Sequence, residues 1–169
     1  MDLLISAKEI ANRIAELAQE IGKDSGEQDL DFVVVLKGAI YFAADLSRAL
    51  STSGSNSVHL HFITAKSYDG VTQGEVKIEG QVQVKDKNVF IIEDILDSGN
   101  TLRKVIPYLK EQGASSVKLV CLLKKHDIPD IKIDYLGFQV PNHWVVGYGF
   151  DLDQKYRNLP DIRIYKETK

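Results

Sequence analysis

Residues 89–101 read Val-Phe-Ile-Ile-Glu-Asp-Ile-Leu-Asp-Ser-Gly-Asn-Thr, and the fold is decided there. Val89 to Ile92 is a short apolar run rich in β-branched residues, the pattern of a strand buried on both faces. Glu93, Asp94 and Asp97 follow it, then a small turn, Ser98-Gly99-Asn100-Thr101. After the turn, Leu102, Val105, Ile106 and Leu109 recur at helical spacing. Carboxylates at the end of a buried strand are costly unless something pairs with them. In open α/β sheets the carboxyl ends of the strands are where ligands sit. A turn that feeds a helix offers an anion both backbone N–H groups and a positive dipole end. Hard oxygen donors therefore stand beside a phosphate cradle, and a sugar phosphate is the expected ligand. A plain N-cap at Asn100 or Thr101 would explain the turn, but not three acids within five residues. The chain contains neither GxxxxGK[ST] nor a GxGxxG after a predicted strand, so the common phosphate loops are excluded.

Outward from this stretch, strands and helices alternate. Ser6-Ala7-Lys8-Glu9 is a capping box, and Ile10, Ile14, Leu17 and Ile21 form one apolar stripe ending at Gly22. Residues 32–36 read as a buried strand, Lys37-Gly38 as a turn, and the segment through Leu50 as a helix. A polar connector, 51–57, leads to a strand over 58–65 and a glycine-bearing polar loop over 67–74. Val76, Ile78, Val82 and Val84 predict a hairpin turning near Gly80. Pro107 should kink or break the helix that begins near Leu102. Gly113 caps that helix, a buried strand over 117–123 ends in Lys124-Lys125, and short strands follow at 135–140, 144–148 and 162–165. This order predicts an α/β fold, a mostly parallel central sheet with helices on both faces. A small hood, formed mainly by the N-terminal segment and about residues 126–169, should cover the sheet's carboxyl edge.

With 169 residues, 44% apolar and 27% charged, the chain fits a single globular domain over 1–169. A net charge of −3 without a basic block argues against nucleic acid as a partner. Cys121 is the only cysteine, which excludes an internal disulfide and a cysteine zinc site and suits a reducing compartment. With no signal-peptide pattern and no long apolar run, a cytoplasmic location and no membrane partner are expected. Glu27, Asp29 and Asp31 read as a solvated run before a strand. His59 and His61 share a strand face without a third metal ligand at fitting spacing, and His126 reads as a surface loop residue.

The 89–101 stretch closely resembles the phosphoribosyl-pyrophosphate (PRPP) signature of type I phosphoribosyltransferases: an apolar strand, two acids, two apolar residues, an acid, then Ser/Thr-Gly and Thr. The rest of the chain is similar to the 6-oxopurine branch, the hypoxanthine-guanine phosphoribosyltransferases. Leu36-Lys37-Gly38 matches its pyrophosphate turn, where relatives often carry a cis peptide before the Lys. Lys66-Ser67-Tyr68 matches the head of the loop that folds over the site. The resemblance implies that Lys124 contacts purine O6, Trp144 stacks on the base, and the Val145 backbone reads its edge. It further implies that Asp151 lies near the 2-position and helps bind a second metal, and that Arg157 touches pyrophosphate. His143 stands where some relatives carry Lys.

The resulting expectation is Mg²⁺-dependent transfer of 5-phosphoribosyl from PRPP to N9 of hypoxanthine or guanine, as in purine salvage, releasing pyrophosphate. Asp97 is the expected general base, Ser98, Gly99, Asn100 and Thr101 the 5′-phosphate turn, and Glu93, Asp94 and Asp151 the Mg²⁺ ligands. Lys37, Gly38, Ser67, Tyr68 and Arg157 complete the PRPP site. A homodimer or homotetramer is expected from the resemblance. The competing readings are a PRPP-sensing regulator without catalysis, disfavoured by the charge balance, and a phosphoribosyltransferase for xanthine or a pyrimidine.

Overall fold

The apolar run at 89–92 lies in an interior strand of a six-stranded sheet, as a segment apolar on both faces requires. The structure, a computed structural model, describes residues 1–52, 57–67 and 76–166. In chain order the elements are β1 (Asp2–Ile5), α1 (Ala7–Ser25), β2 (Leu30–Leu36), α2 (Ile40–Thr52), β3 (Val58–Ser67), β4 (Val76–Glu79), β5 (Asn88–Leu96), α3 (Leu102–Glu111), β6 (Ser116–Lys124), β7 (Tyr135–Gln139), β8 (Val145–Val146) and β9 (Ile162–Ile164). The large sheet has the order β4-β3-β2-β5-β6-β7, and every neighbouring pair is parallel except β3–β4.

Alternation along the strands feeds two separate cores. Phe32, Val34, Phe90 and Ile92 pack with Ile10, Ile14, Leu17 and Leu46 of α1 and α2. On the opposite face Val33, Val35, Ile91 and Leu119 pack with Leu102, Val105 and Leu109 of α3. Helices thus cover both faces, and the α/β architecture is the expected one. A second, three-stranded sheet, β1-β9-β8, is antiparallel and joins the two ends of the chain.

The capping box forms as read: Ser6 accepts from the Glu9 backbone while Glu9 reaches back to the Ser6 N–H. The helix does not stop at Gly22 but runs on to Ser25, and Gly26, at φ 61°, ends it. Nor does Pro107 break α3. That helix closes in a Schellman motif, with Gly113 N–H on the Lys110 carbonyl at 3.0 Å and Ala114 N–H on the Leu109 carbonyl at 3.1 Å.

Two expectations are corrected. No hairpin turns at Gly80: β4 pairs with β3 instead, residues 81–84 form no strand, and Val84 drops into the core beside α3. Apolar alternation continues past Gly80 because those residues still face a core, not because they join a ladder. Asp31 is also not solvated. It is 6% exposed, accepts from Lys87 Nζ at 2.7 Å and pairs with His61 Nε2 at 2.9 Å. His59 lies apart, 3.6 Å from Asp29, so each histidine has its own aspartate. Among the described residues no helix is long and apolar enough to cross a membrane.

The Asp31 cluster makes stability depend on pH. Burial alone would raise the Asp31 pKa, but hydrogen bonds from Lys87 and His61 outweigh it and hold the carboxyl below the ordinary value of 3.8. A depressed carboxyl stabilises the fold above its unfolded pKa, and that contribution is lost as pH falls through the folded pKa. Asp31→Asn should therefore lower the melting temperature at pH 7. Thermal melts across a pH series should show the gap from wild type closing below the ordinary carboxylate range; a pH-independent gap would refute the ionic account.

Candidate active site

β5 continues to Leu96, so Glu93 and Asp94 are strand residues rather than members of a following loop. Glu93 is buried, and its Oε2 has no hydrogen-bond partner among the described residues. Burial, then the neighbouring Asp94 charge, pushes the Glu93 carboxyl well above its usual range, and burial raises that of Asp94 against hydrogen bonds from Glu93 and the Ile95 backbone. Two such groups side by side call for a cation.

The Lys37-Gly38 turn after β2 meets this pair directly. The Leu36–Lys37 peptide is cis. A Cβ on Gly38 would lie 1.6 Å from Asp94 Oδ2, so only glycine admits the carboxylate. Gly149, at φ 104°, approaches from the other side, and its Cβ would stand 2.0 Å from the Gly38 carbonyl oxygen. Lys37 Nζ donates to Gln154 Oε1 at 3.2 Å, and Arg157 Nη2 reaches the same oxygen at 3.4 Å. Two cations thus face one oxygen position. Arg157 also donates to the Gly149 carbonyl at 2.6 Å and pairs with Asp151 at 2.7 Å.

A cavity of about 230 Å³ opens beside these groups, lined by Asp94, Asp97, Lys125, Trp144, Val145 and Asp151 among others. Trp144 is 62% exposed, which leaves its ring free to stack. Lys125, not Lys124, lines the cavity, and its Nζ donates to Asp97 Oδ2 at 2.9 Å. Lys124 is the last residue of β6, one further than the sequence suggested, and its Nζ turns to Asp127 at 2.7 Å. A Lys-Lys doublet at a strand end signals a cation, but a one-residue shift of the boundary decides which one faces the ligand.

The Ser98–Thr101 turn follows Asp97. Gly99 takes φ 76° and no side chain caps α3 at Thr101, while the Asn100 N–H donates to Ser98 Oγ at 3.4 Å and the Arg103 N–H to the Gly99 carbonyl at 3.0 Å. His143 is exposed. Ser67 ends β3, while its side chain and Tyr68 lie outside the described residues. Gln154 is the second residue that sequence reading passed over; nothing in its surroundings distinguishes it before folding.

The donor set suits a hard divalent cation such as Mg²⁺, which binds through one or two carboxylates and completes its shell with water and substrate oxygens. Glu93 and Asp94 fit that description. Asp151 is engaged by Arg157 and by the Gln154 N–H at 2.8 Å, and among the described residues no three acidic, His or Cys side chains converge on one point.

Residues 4–153 match the family model described as the phosphoribosyl transferase domain. The chain belongs to the phosphoribosyltransferase family. This phosphoribosyltransferase is 39% identical to the hypoxanthine-guanine phosphoribosyltransferase of Streptococcus thermophilus, over 98% of this chain and 93% of that one. It is also 39% identical to the Bacillus subtilis enzyme of the same name, over 97% and 92%. The structure superposes on a Bacillus anthracis hypoxanthine-guanine phosphoribosyltransferase with a TM-score of 0.90 at 37% identity, covering 98% of this chain and 99% of that one. A Trypanosoma cruzi hypoxanthine phosphoribosyltransferase in complex with its product IMP gives 0.88 at 32% identity, covering 98% and 94%. The type I phosphoribosyltransferase fold read from the 89–101 stretch is therefore the fold of this enzyme, and phosphoribosyl transfer of the hypoxanthine-guanine type is its class of chemistry.

The contact between the two glycine turns is directly testable. Gly149→Ala places a methyl against the Gly38 carbonyl in a backbone region L-residues avoid. It should cost roughly 1–3 kcal/mol. Chemical denaturation would measure it, and an unchanged midpoint would show that the two turns are not in forced contact.

Proposed function

We propose that the enzyme transfers the 5-phosphoribosyl group of PRPP to N9 of hypoxanthine or guanine, giving IMP or GMP and pyrophosphate in purine salvage. The observation that carries this reading is the cavity that joins Asp97, Lys125 and the exposed Trp144 to Asp94, the neighbour of the buried Glu93. The relatives' names and the IMP complex of the Trypanosoma cruzi enzyme support the same substrates.

In this mechanism the 5′-phosphate sits in the Ser98–Thr101 turn, held by backbone N–H groups and the Ser98 and Thr101 hydroxyls. Glu93 and Asp94 hold the ribose hydroxyls directly or through Mg²⁺, and Asp151 contributes near the second metal position and the purine 2-position. When bound, Mg²⁺ would neutralise charge on the pyrophosphate oxygens. Lys37 and Arg157 stabilise the same charge as the C1–oxygen bond breaks, with Gly38 letting the backbone approach. The N9–C1 bond forms as Asp97 takes a proton from the base at N7. Trp144 stacks on the purine and the Val145 backbone reads its edge. The O6 contact assigned by resemblance to Lys124 passes to Lys125, because the Lys124 ammonium points to Asp127. Ser67 and Tyr68 head the loop that excludes water from C1.

On the same reading the β1-β9-β8 sheet and the segment after residue 126 form the hood of a single domain. The enzyme works in the cytoplasm as a homodimer or homotetramer, a state supported by the exposed Ile40, Tyr41, Leu60 and Phe62.

Steady-state kinetics with hypoxanthine, guanine, xanthine and adenine plus PRPP and Mg²⁺ test the assignment. Adenine, which presents a donor where Lys125 also donates, should turn over poorly. Lys125→Ala should raise KM for the 6-oxopurines while Lys124→Ala changes it little; the reverse order would return the role to Lys124. Asp97→Asn should lower kcat by about 10²–10⁴ with PRPP binding intact. Near wild-type turnover in that variant would remove Asp97 as the base.

A further inference from the structure

The turn assigned to the 5′-phosphate is itself held from outside, in part by two residues that the mechanism does not use, Arg103 and Asp130. Arg103, two residues into α3, donates from Nη1 to the Ser98 carbonyl at 2.9 Å and to Asn100 Oδ1 at 3.3 Å. Its other nitrogens grip Asp130 in a fork, Nε to Oδ2 at 2.6 Å and Nη2 to Oδ1 at 2.9 Å. Such bidentate pairs fix orientation as well as distance.

Asp130 stands in a tight turn, Ile128-Pro129-Asp130-Ile131, closed by the Ile131 N–H on the Ile128 carbonyl at 3.0 Å. Proline at its second position presets the backbone. The same turn supplies an apolar floor beneath the phosphate turn. Ile131 is 8% exposed, and a Cβ on Gly99 would meet Ile131 Cδ1 at 2.5 Å and Ile128 Cγ2 at 3.4 Å. At the other end of the segment, Lys125 holds Asp97. One stretch of chain therefore grips the catalytic turn at both ends, through Lys125 at Asp97 and through Asp130 at Arg103.

We propose that residues Lys125–Ile131 act as a splint for the Asp97–Arg103 turn, with Arg103 and Asp130 as positioning residues that set affinity for the 5′-phosphate. The Arg103 bond to the Ser98 carbonyl keeps that oxygen turned away from the anion, so the turn's N–H groups converge without first having to be ordered. Arg103 does not act as a charge for the phosphate, because Asp130 neutralises it.

The proposal rests on the assignment of this turn to the 5′-phosphate. Arg103→Ala and Asp130→Asn should each raise KM for PRPP and for the nucleotide product roughly three- to tenfold, and the double variant should be no worse than either single one. Pyrophosphate, which lacks the 5′-phosphate, should keep its KM in the reverse reaction. Arg103→Lys retains the charge but not the fork and should behave like Arg103→Ala. Amide hydrogen exchange over residues 98–101 of the substrate-free protein should quicken in all of these variants, a readout independent of any substrate.

A lower KM for PRPP in Asp130→Asn would mean that the freed Arg103 binds phosphate directly, and would overturn the proposal. So would an unchanged KM, with or without faster exchange. Failure of the wild-type enzyme to use PRPP would instead refute the functional reading, while the exchange data still report on the splint.

Discussion

The close packing of one carboxylate against one stretch of backbone organises this molecule. Asp94 leaves the end of β5 with its oxygen where a Cβ of Gly38 would be, and Gly38 in turn lies where a Cβ of Gly149 would point. The ends of β2 and β5 and the turn after β8 are thereby drawn together with only the Asp94 carboxylate between them. Any larger residue at either glycine would separate the acids from Lys37 and Arg157. The geometry of the charged groups thus follows from the absence of two methyl groups.

Two of those charged groups keep an atom that the described residues leave unpaired. Glu93 Oε2 and Arg157 Nε are both buried without a hydrogen-bond partner among the described residues. Burial raises both acids' pKa values, the usual mark of carboxylates kept for a cation or a reaction rather than for stability. Elsewhere the protein treats its charges differently. Asp31 exposes as little surface as Glu93, yet Lys87 and His61 satisfy it, and its pKa falls instead of rising. The two edges of the sheet thus treat a carboxylate in opposite ways: Glu93 is buried beside another acid, whereas Asp31 faces the Lys87 ammonium and the His61 ring.

A second theme is the division of labour between strands and the segments that follow them. β2, β5 and β6 bury apolar residues on both faces and end at one edge, which gathers Lys37, Asp97 and Lys125 at that edge. The loops then adjust position, and the segment after β6 does so twice, at Asp97 and at Arg103. Rigid strands fix the spacing of the site to within a residue, and short ionic ties select which residue of each loop faces inward.

What was legible beforehand is what depends on local pattern. The 89–92 run, the capping box at Ser6 and the helical stripes identify their elements because burial and hydrogen bonding impose periods of two and 3.6 on any sequence that folds this way. The acids and the Ser-Gly turn identify the ligand class because few other reasons exist for such residues at a buried strand's end. Four features were decided only by tertiary structure: Lys125 rather than Lys124 at the cavity, β4 rather than a Gly80 hairpin on β3, the burial of Asp31, and the Arg103–Asp130 fork. Each turns on a partner distant in sequence or on a single-residue shift at an element's end, and neither leaves a trace in local periodicity.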